Sequence, residues 1–276
     1  AATEALSSPL PIAGIPMRIA VAPFRGEAPN ANLPIALELG VDALRLAETD
    51  GTFNGRVEVV LTATDNEGKP QGTATQTFRL SLKPDTMARA RESGIRVLSE
   101  LALRPGRYQV RAAAASEGGA AGSVIADVEI PNFTNAPMTM SGVALSSASM
   151  ARTVTIPGKT SLDQLLPGPL TATREFPRGD QLAIFAEFYE NLRNVPPHKV
   201  DISVTIRSDD GRVVYTDEEE RDSTELQGGA GGYGYSNILP TADLAPGLYV
   251  VHVEARSRAT AIEAGVGRDI AIRIRE

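Results

Sequence analysis

The sequence predicts an all-β protein made of two tandem immunoglobulin-like or fibronectin-type β-sandwiches. Three observations carry that expectation. Apolar residues alternate with period two along most of the chain, turn residues punctuate the alternation, and the pattern of the first half returns in the second. A length of 276 residues suits two domains of roughly 100–200 residues each.

The elements follow in order. Met17, Ile19 and Val21 alternate with Arg18 and Ala20, and Phe24 keeps the apolar parity past Pro23. Leu33, Ile35, Leu37 and Leu39 mark the next strand, and Val57, Val59 and Leu61 the one after. Side chains two apart share one face of a strand, so each set points into a core. Asp65-Asn66-Glu67-Gly68-Lys69 separates a strand at 57–64 from one at 73–82, with Gly68 where a positive φ is wanted. The stretch 85–93 is the predicted helix: it starts acidic, runs through Met87-Ala88-Arg89-Ala90-Arg91 and stops at Gly94. Strands at 95–101, 107–115 and 124–130 bring the set to about seven, the number such a sandwich uses.

The second half repeats these features. Leu103-Arg104-Pro105-Gly106-Arg107-Tyr108-Gln109-Val110 matches Leu244-Ala245-Pro246-Gly247-Leu248-Tyr249-Val250-Val251, 141 residues further on. The stretch 57–69 matches 200–212, with Asp209-Asp210-Gly211 as its turn, 143 residues further on. Phe24-Arg25-Gly26 has a looser counterpart in Phe176-Pro177-Arg178-Gly179. The strand pattern lapses near 131–137, giving units at 12–133 and 137–276. The second takes 138–147 as its first strand and leaves 149–169 as a loop. In each Pro-Gly-x-Tyr step the turn delivers a tyrosine to the core face, where its hydroxyl reaches a backbone group at the sandwich corner. Tyr108, Tyr249, Gly68 and Gly211 are therefore assigned structural roles. Tyr249, Val251 and Val253 point inward, and Val250, His252 and Glu254 outward.

Composition excludes several chemistries. Cysteine and tryptophan are absent, which removes disulfides, thiol nucleophiles and cysteine-based metal sites. A net charge of −7 argues against nucleic acid as a partner, because phosphates need a basic face. No stretch reaches the ~20 apolar residues of a membrane helix, so no membrane insertion is expected. The opening residues lack a basic segment followed by an apolar one, so no signal peptide is expected, and without an initiator Met the chain reads as a mature or excised fragment of something longer.

The candidate sites are sparse. His198 and His252 have no metal-ligand spacing and read as surface histidines; neither a metal nor a cofactor is expected. No Gly-x-Ser-x-Gly elbow activates a serine. Glu187 and Glu190 flank Phe188-Tyr189 with opposite parity, which places them on different sides rather than as a glycosidase pair. No catalytic residue is assigned. The run 217–222 holds five acids in six positions and reads as a charged edge strand ahead of a calcium site. The glycine-rich stretch from Gln227 to Tyr235 reads as a connector whose tyrosines pack on the sheet, or else as a contact surface. Tyr233, Tyr235 and Tyr189 are the candidate binding residues.

Three longer segments carry a family resemblance. They are Ser8-Pro9-Leu10-Pro11-Ile12-Ala13-Gly14-Ile15-Pro16-Met17-Arg18 with Phe24-Arg25-Gly26, Met140-Ser141-Gly142-Val143-Ala144-Leu145-Ser146-Ser147, and the stretch from Phe176 to Tyr189. Together they resemble the C-terminal portion of large bacterial secreted proteins with a von Willebrand factor A-related domain. In that family the A-type domain lies upstream and carries an Asp-x-Ser-x-Ser adhesion motif, which this sequence lacks, so its metal chemistry does not carry over. The resemblance implies an extracytoplasmic region of β-sandwiches, covalently linked to that upstream domain. The functional expectation is a non-catalytic interaction or spacer module of a secreted or cell-surface protein, with an unidentified protein or glycan partner. The alternatives are a carbohydrate-binding accessory module, which needs exposed aromatic rings, and a calcium-stabilised adhesive module.

Overall fold

The alternation in the first half closes into two facing sheets. The structure, a computed structural model, describes residues 1–163, 165–192, 194–225, 233–259 and 264–276. A short helix α1 (Ala2–Ser7) precedes β1 (Met17–Val21), β2 (Phe24–Arg25), β3 (Ala31–Leu39), β4 (Ala47–Thr49), β5 (Thr52–Asp65) and β6 (Pro70–Leu82). Helix α2 (Pro84–Ser93) then leads to β7 (Ile95–Leu103), β8 (Gly106–Ser116) and β9 (Ala121–Ile130). β1 and β2 lie end to end on β3, which pairs with β7; the other sheet runs β6-β5-β8-β9, with β4 beside the start of β5. Leu33, Ile35, Leu37 and Leu39 of β3 meet Val57, Val59 and Leu61 of β5 and Val110 of β8 in one core. Each such aliphatic side chain contributes about 1.5–3 kcal/mol by leaving water.

The second half lays its strands out in the same order. β10 (Met138–Met140) and β11 (Ala144–Ser147) lie end to end on β14 (Gln181–Glu190), which pairs with β17 (Tyr233–Pro240). The facing sheet runs β16 (Val213–Asp222), β15 (Lys199–Ser208), β18 (Gly247–Ser257) and β19 (Ala264–Arg275), with β13 (Glu175–Pro177) parallel to the end of β19. Its core joins Leu182, Ile184 and Phe188 to Val200, Ile202, Val204, Val251 and Val253. The registers correspond as well: Tyr108 lies opposite Asp65, and Tyr249 opposite Ser208, each at the mouth of a hairpin turn. Those turns have Gly68 at φ 76° and Gly211 at φ 84°, values that a side chain would strain.

Three departures from expectation have physical causes. The first strand of the second half is split in two at Ser141–Val143, as β1 and β2 are split at Ala22–Pro23. The breaks meet: Gly142 N donates to Pro23 O at 2.6 Å, and a Cβ on Gly142 would come within 2.7 Å of Ala22 Cα. The stretch 149–169 is not simply a loop. It holds β12 (Val154–Ile156), which pairs in parallel with β7 and lays Val154 and Ile156 against the first core. Finally, residues ahead of the expected unit at 12–133 pack onto it, with Ala2 buried among Val60 and Ala115, and Arg111 Nη1 donating to Ser8 O at 2.7 Å.

Candidate functional site

β14 is apolar at both parities, and the structure shows why. Leu182, Ile184, Ala186 and Phe188 enter the second core, whereas Phe185 and Tyr189 on the opposite face pack against the first half. Phe185 stacks on Phe24 with ring centroids 5.8 Å apart. Tyr189, 1% exposed, meets Phe133 edge to face at 5.1 Å and lies under the Arg25 guanidinium at 5.7 Å. Its hydroxyl accepts from Arg25 N at 3.0 Å and donates to the Glu187 carboxylate. Burial, and then the neighbouring Glu187 charge, push the Tyr189 phenol far above its ordinary range; burial also raises Glu187.

A polar clasp completes this seam. Glu38 of β3 and Arg96 of β7 face each other across the ladder and are 4% and 0% exposed. The segment after β11 covers them. Glu38 Oε1 accepts from Thr171 Oγ1 at 2.8 Å, Ala172 N at 3.1 Å and Arg96 Nη2 at 3.5 Å, while Arg96 Nη2 also donates to Met150 O at 3.1 Å. Burial lowers the Arg96 pKa, and Glu38 partly opposes that shift. Leu162, Leu170 and Ala172 of the same segment cover Ala20, Ala36 and Leu98. Ser149 N and Oγ both donate to Asp180, which anchors the segment's start to the second half.

The tyrosines proposed for binding are mostly inside. Tyr189 belongs to the seam just described. Tyr235, 1% exposed, is part of the second core and donates to Asp217 Oδ2 at 3.0 Å, as does Asn237 Nδ2 at 2.6 Å. Tyr233 is half-buried; its hydroxyl donates to Glu219 Oε1 at 3.1 Å and Arg221 covers its ring at 4.8 Å. No exposed aromatic platform therefore arises from these three rings, because each one packs on its own protein. Residues 227–232 of the glycine-rich stretch lie outside the described residues. The acidic run is divided by strand parity: Asp217 and Glu219 turn to the tyrosines, while Glu220 and Asp222 pair with Lys199 at 3.3 and 3.4 Å. Among the described residues no three His, Cys, Asp or Glu side chains are grouped to hold a metal ion.

The tyrosine corners have matching geometry. Tyr108 Oη donates to Arg104 O at 2.9 Å and Tyr249 Oη to Ala245 O at 2.8 Å, each four residues back. Asp65 Oδ1 accepts from Glu67 N and Lys69 N at 2.9 Å in the first hairpin turn, and Gly211 N donates to Ser208 O at 2.9 Å in the second.

His198 corrects the surface reading: its side chain is only 10% exposed. Nε2 lies 2.8 Å from both Glu190 Oε1 and Ser257 Oγ, Nδ1 lies 2.9 Å from Pro196 O, and Ser257 Oγ donates to Glu190 Oε1 at 2.9 Å. Burial lowers the imidazole's pKa, but the Pro196 carbonyl and then Glu190 outweigh it and hold the value above the ordinary one. Ser, His and Glu meet here without forming a nucleophile relay. A relay puts the carboxylate on the nitrogen remote from the hydroxyl, whereas here both crowd Nε2. His252 stays on the outer face beside Asp269 Oδ1 at 2.6 Å. Glu38, Arg96 and Ser257 were not legible as a site, since each occupies an ordinary polar position of a strand, and Glu190 stood out only against Glu187. Only the two-sided apolar pattern of β14 signalled a second buried face.

No family model matches the chain, and no curated protein matches it. Among solved structures it is similar to a biofilm-associated protein BSP domain, at 12% identity and a TM-score of 0.34, covering 94% of this chain and 30% of that one. It is also similar to a Bacteroides uniformis beta-glucuronidase, at 13% identity and a TM-score of 0.30, covering 87% of this chain and 26% of that one. A putative beta-galactosidase from Bacteroides fragilis gives 13% identity and a TM-score of 0.26, covering 86% and 32%. The chain thus spans about a third or less of each neighbour's length. No helix among the described residues is long and apolar enough to cross a membrane.

Proposed function

We propose that the chain is a non-catalytic structural or interaction module of a bacterial secreted or cell-surface protein, with two sandwich units at 12–133 and 137–276 acting as one rigid spacer. The observation that supports it is the double burial of β14, whose two faces belong to the cores of different halves. Domains joined by small polar contacts move freely by default, and an aromatic seam with Thr171, Ala172 and Met150 bonded to the buried Glu38 and Arg96 opposes that motion. The extracytoplasmic placement and the covalently linked upstream domain rest on the resemblance of the three segments ending at Gly26, Ser147 and Tyr189.

The absence of cysteine makes the test direct, since two introduced cysteines label uniquely. Asp127→Cys on β9 and Glu218→Cys on β16 are exposed positions, one in each half. Spin labels there are expected to give one narrow distance distribution by pulsed electron paramagnetic resonance. A broad distribution, like that of a flexible tether, would overturn the rigid-spacer reading.

A further inference from the structure

The backbone groups along a sheet's edge lack partners, and proteins cover or charge long edges to prevent pairing with other chains. Among the described residues, β6, β9, β16 and β19 are the edge strands of ten residues or more. The N-terminal segment occupies the start of the β9 edge, through Ile15 N to Ala121 O at 3.0 Å and Ser123 N to Ile12 O at 2.8 Å, and the exposed Asp127 and Glu129 charge the remainder. β13 pairs with the last three residues of β19, and Arg268 and Asp269 charge the stretch before them. β16 holds its acids at 217–220 and 222. β6, which occupies the same place in the first half as β16 in the second, has neither device. It pairs only with β5, through twelve of its 13 residues with a bulge at Gln71, and Arg79 is its one charged side chain. Thr73, Thr75 and Thr77 form an exposed row of β-branched residues that favour strand pairing.

We infer that the free edge of β6 is a strand-addition surface whose occupant is β6 of a second copy of this chain, antiparallel about a two-fold axis. Self-complementarity selects this occupant, because a two-fold interface must match its own surface. An axis at Thr75 sets Thr73 opposite Thr77 and Ala74 opposite Gln76, so that no like charges meet and β-branched side chains pair across the strands. The same operation on β16 would set acid against acid. The pairing joins two sheets into one and satisfies the outward backbone groups of both edges. It depends on β6 alone and stands whether or not the spacer reading holds.

Sedimentation velocity on the full chain over a concentration series tests it. The wild-type chain is expected to show a reversible monomer–dimer equilibrium. Thr75→Lys and Thr75→Glu, each of which brings like charges together at the axis, should weaken it by about tenfold or more. An equimolar mixture of the two variants should restore dimers, as Lys then meets Glu. Hydrogen exchange on the wild type provides a readout that needs no variant: amides at 70–82 should exchange more slowly as concentration rises, and those at 213–222 should not. A chain that stays monomeric throughout, a dimer indifferent to both substitutions, or exchange at 70–82 that ignores concentration would each overturn the inference.

Discussion

β3 and β14 hold the same place in the two halves, yet their second faces do opposite things. Inward, both present aliphatic residues at every other position: Leu33, Ile35, Leu37 and Leu39 in one, Leu182, Ile184, Ala186 and Phe188 in the other. Outward, β3 presents the small Ala36 and the charged Glu38, while β14 presents Phe185 and Tyr189. The inward parity makes a sandwich and is shared. The outward parity makes the seam, and there the two faces are complementary rather than alike. The two halves match in their cores and differ where they touch.

The largest effect that can break this comparison lies at the seam's charge. Glu38→Ala leaves the Arg96 guanidinium buried without its carboxylate and should cost about 3–5 kcal/mol in urea denaturation. Replacing both residues, as Glu38→Leu with Arg96→Met, should recover most of that loss, since apolar substitutes of similar volume spare the desolvation of both charges. A single-variant cost below about 1 kcal/mol, the range of an exposed pair, would show that the segment over β3 does not seal the seam.

The corners offer a smaller and symmetrical comparison. Tyr108→Phe and Tyr249→Phe each remove one hydroxyl bonded to a carbonyl four residues back, and each should cost roughly 1 kcal/mol. Equal losses are expected because the local geometry is the same. A several-fold difference between them would mean that the halves use the motif differently.

The smallest effect is a pH dependence found in the second half. The His198 imidazole has a raised pKa in the folded chain, so it binds its proton more tightly there than in the unfolded chain. That contribution is complete below the unfolded value of about 6.5 and fades as the pH rises through the higher folded value. Wild-type stability should therefore fall across that window relative to His198→Gln, measured as urea midpoints at a series of pH values. Parallel curves for the two proteins would remove His198 as the source.

Much of the architecture is legible in the residues. The strand alternation, the Gly68 and Gly211 turns, the helix ending at Gly94 and the Tyr108 and Tyr249 steps are local signals, each set by backbone preference or by period-two burial. The binding candidates were less legible. Tyr235 reads as packing on the sheet or else as contact surface, Tyr189 as a candidate contact, and only partners from distant strands decide, because the pattern around a residue does not say what lies above its outer face. His198 follows two prolines and looks exposed, but Glu190 and Ser257 arrive from the ends of two other strands.

The sequence by itself determined the fold class, the inward parity of each strand and the recurrence of one pattern in both halves. Those properties depend on neighbours two residues apart and on turns a few residues long. Only the tertiary structure decided which outward faces are buried, that β12 joins the sheet of the first half, and that Glu38 and Arg96 share a closed site. Those outcomes depend on where a distant segment comes to rest, and the same Glu–Leu alternation serves equally for a strand facing water and one facing a seam.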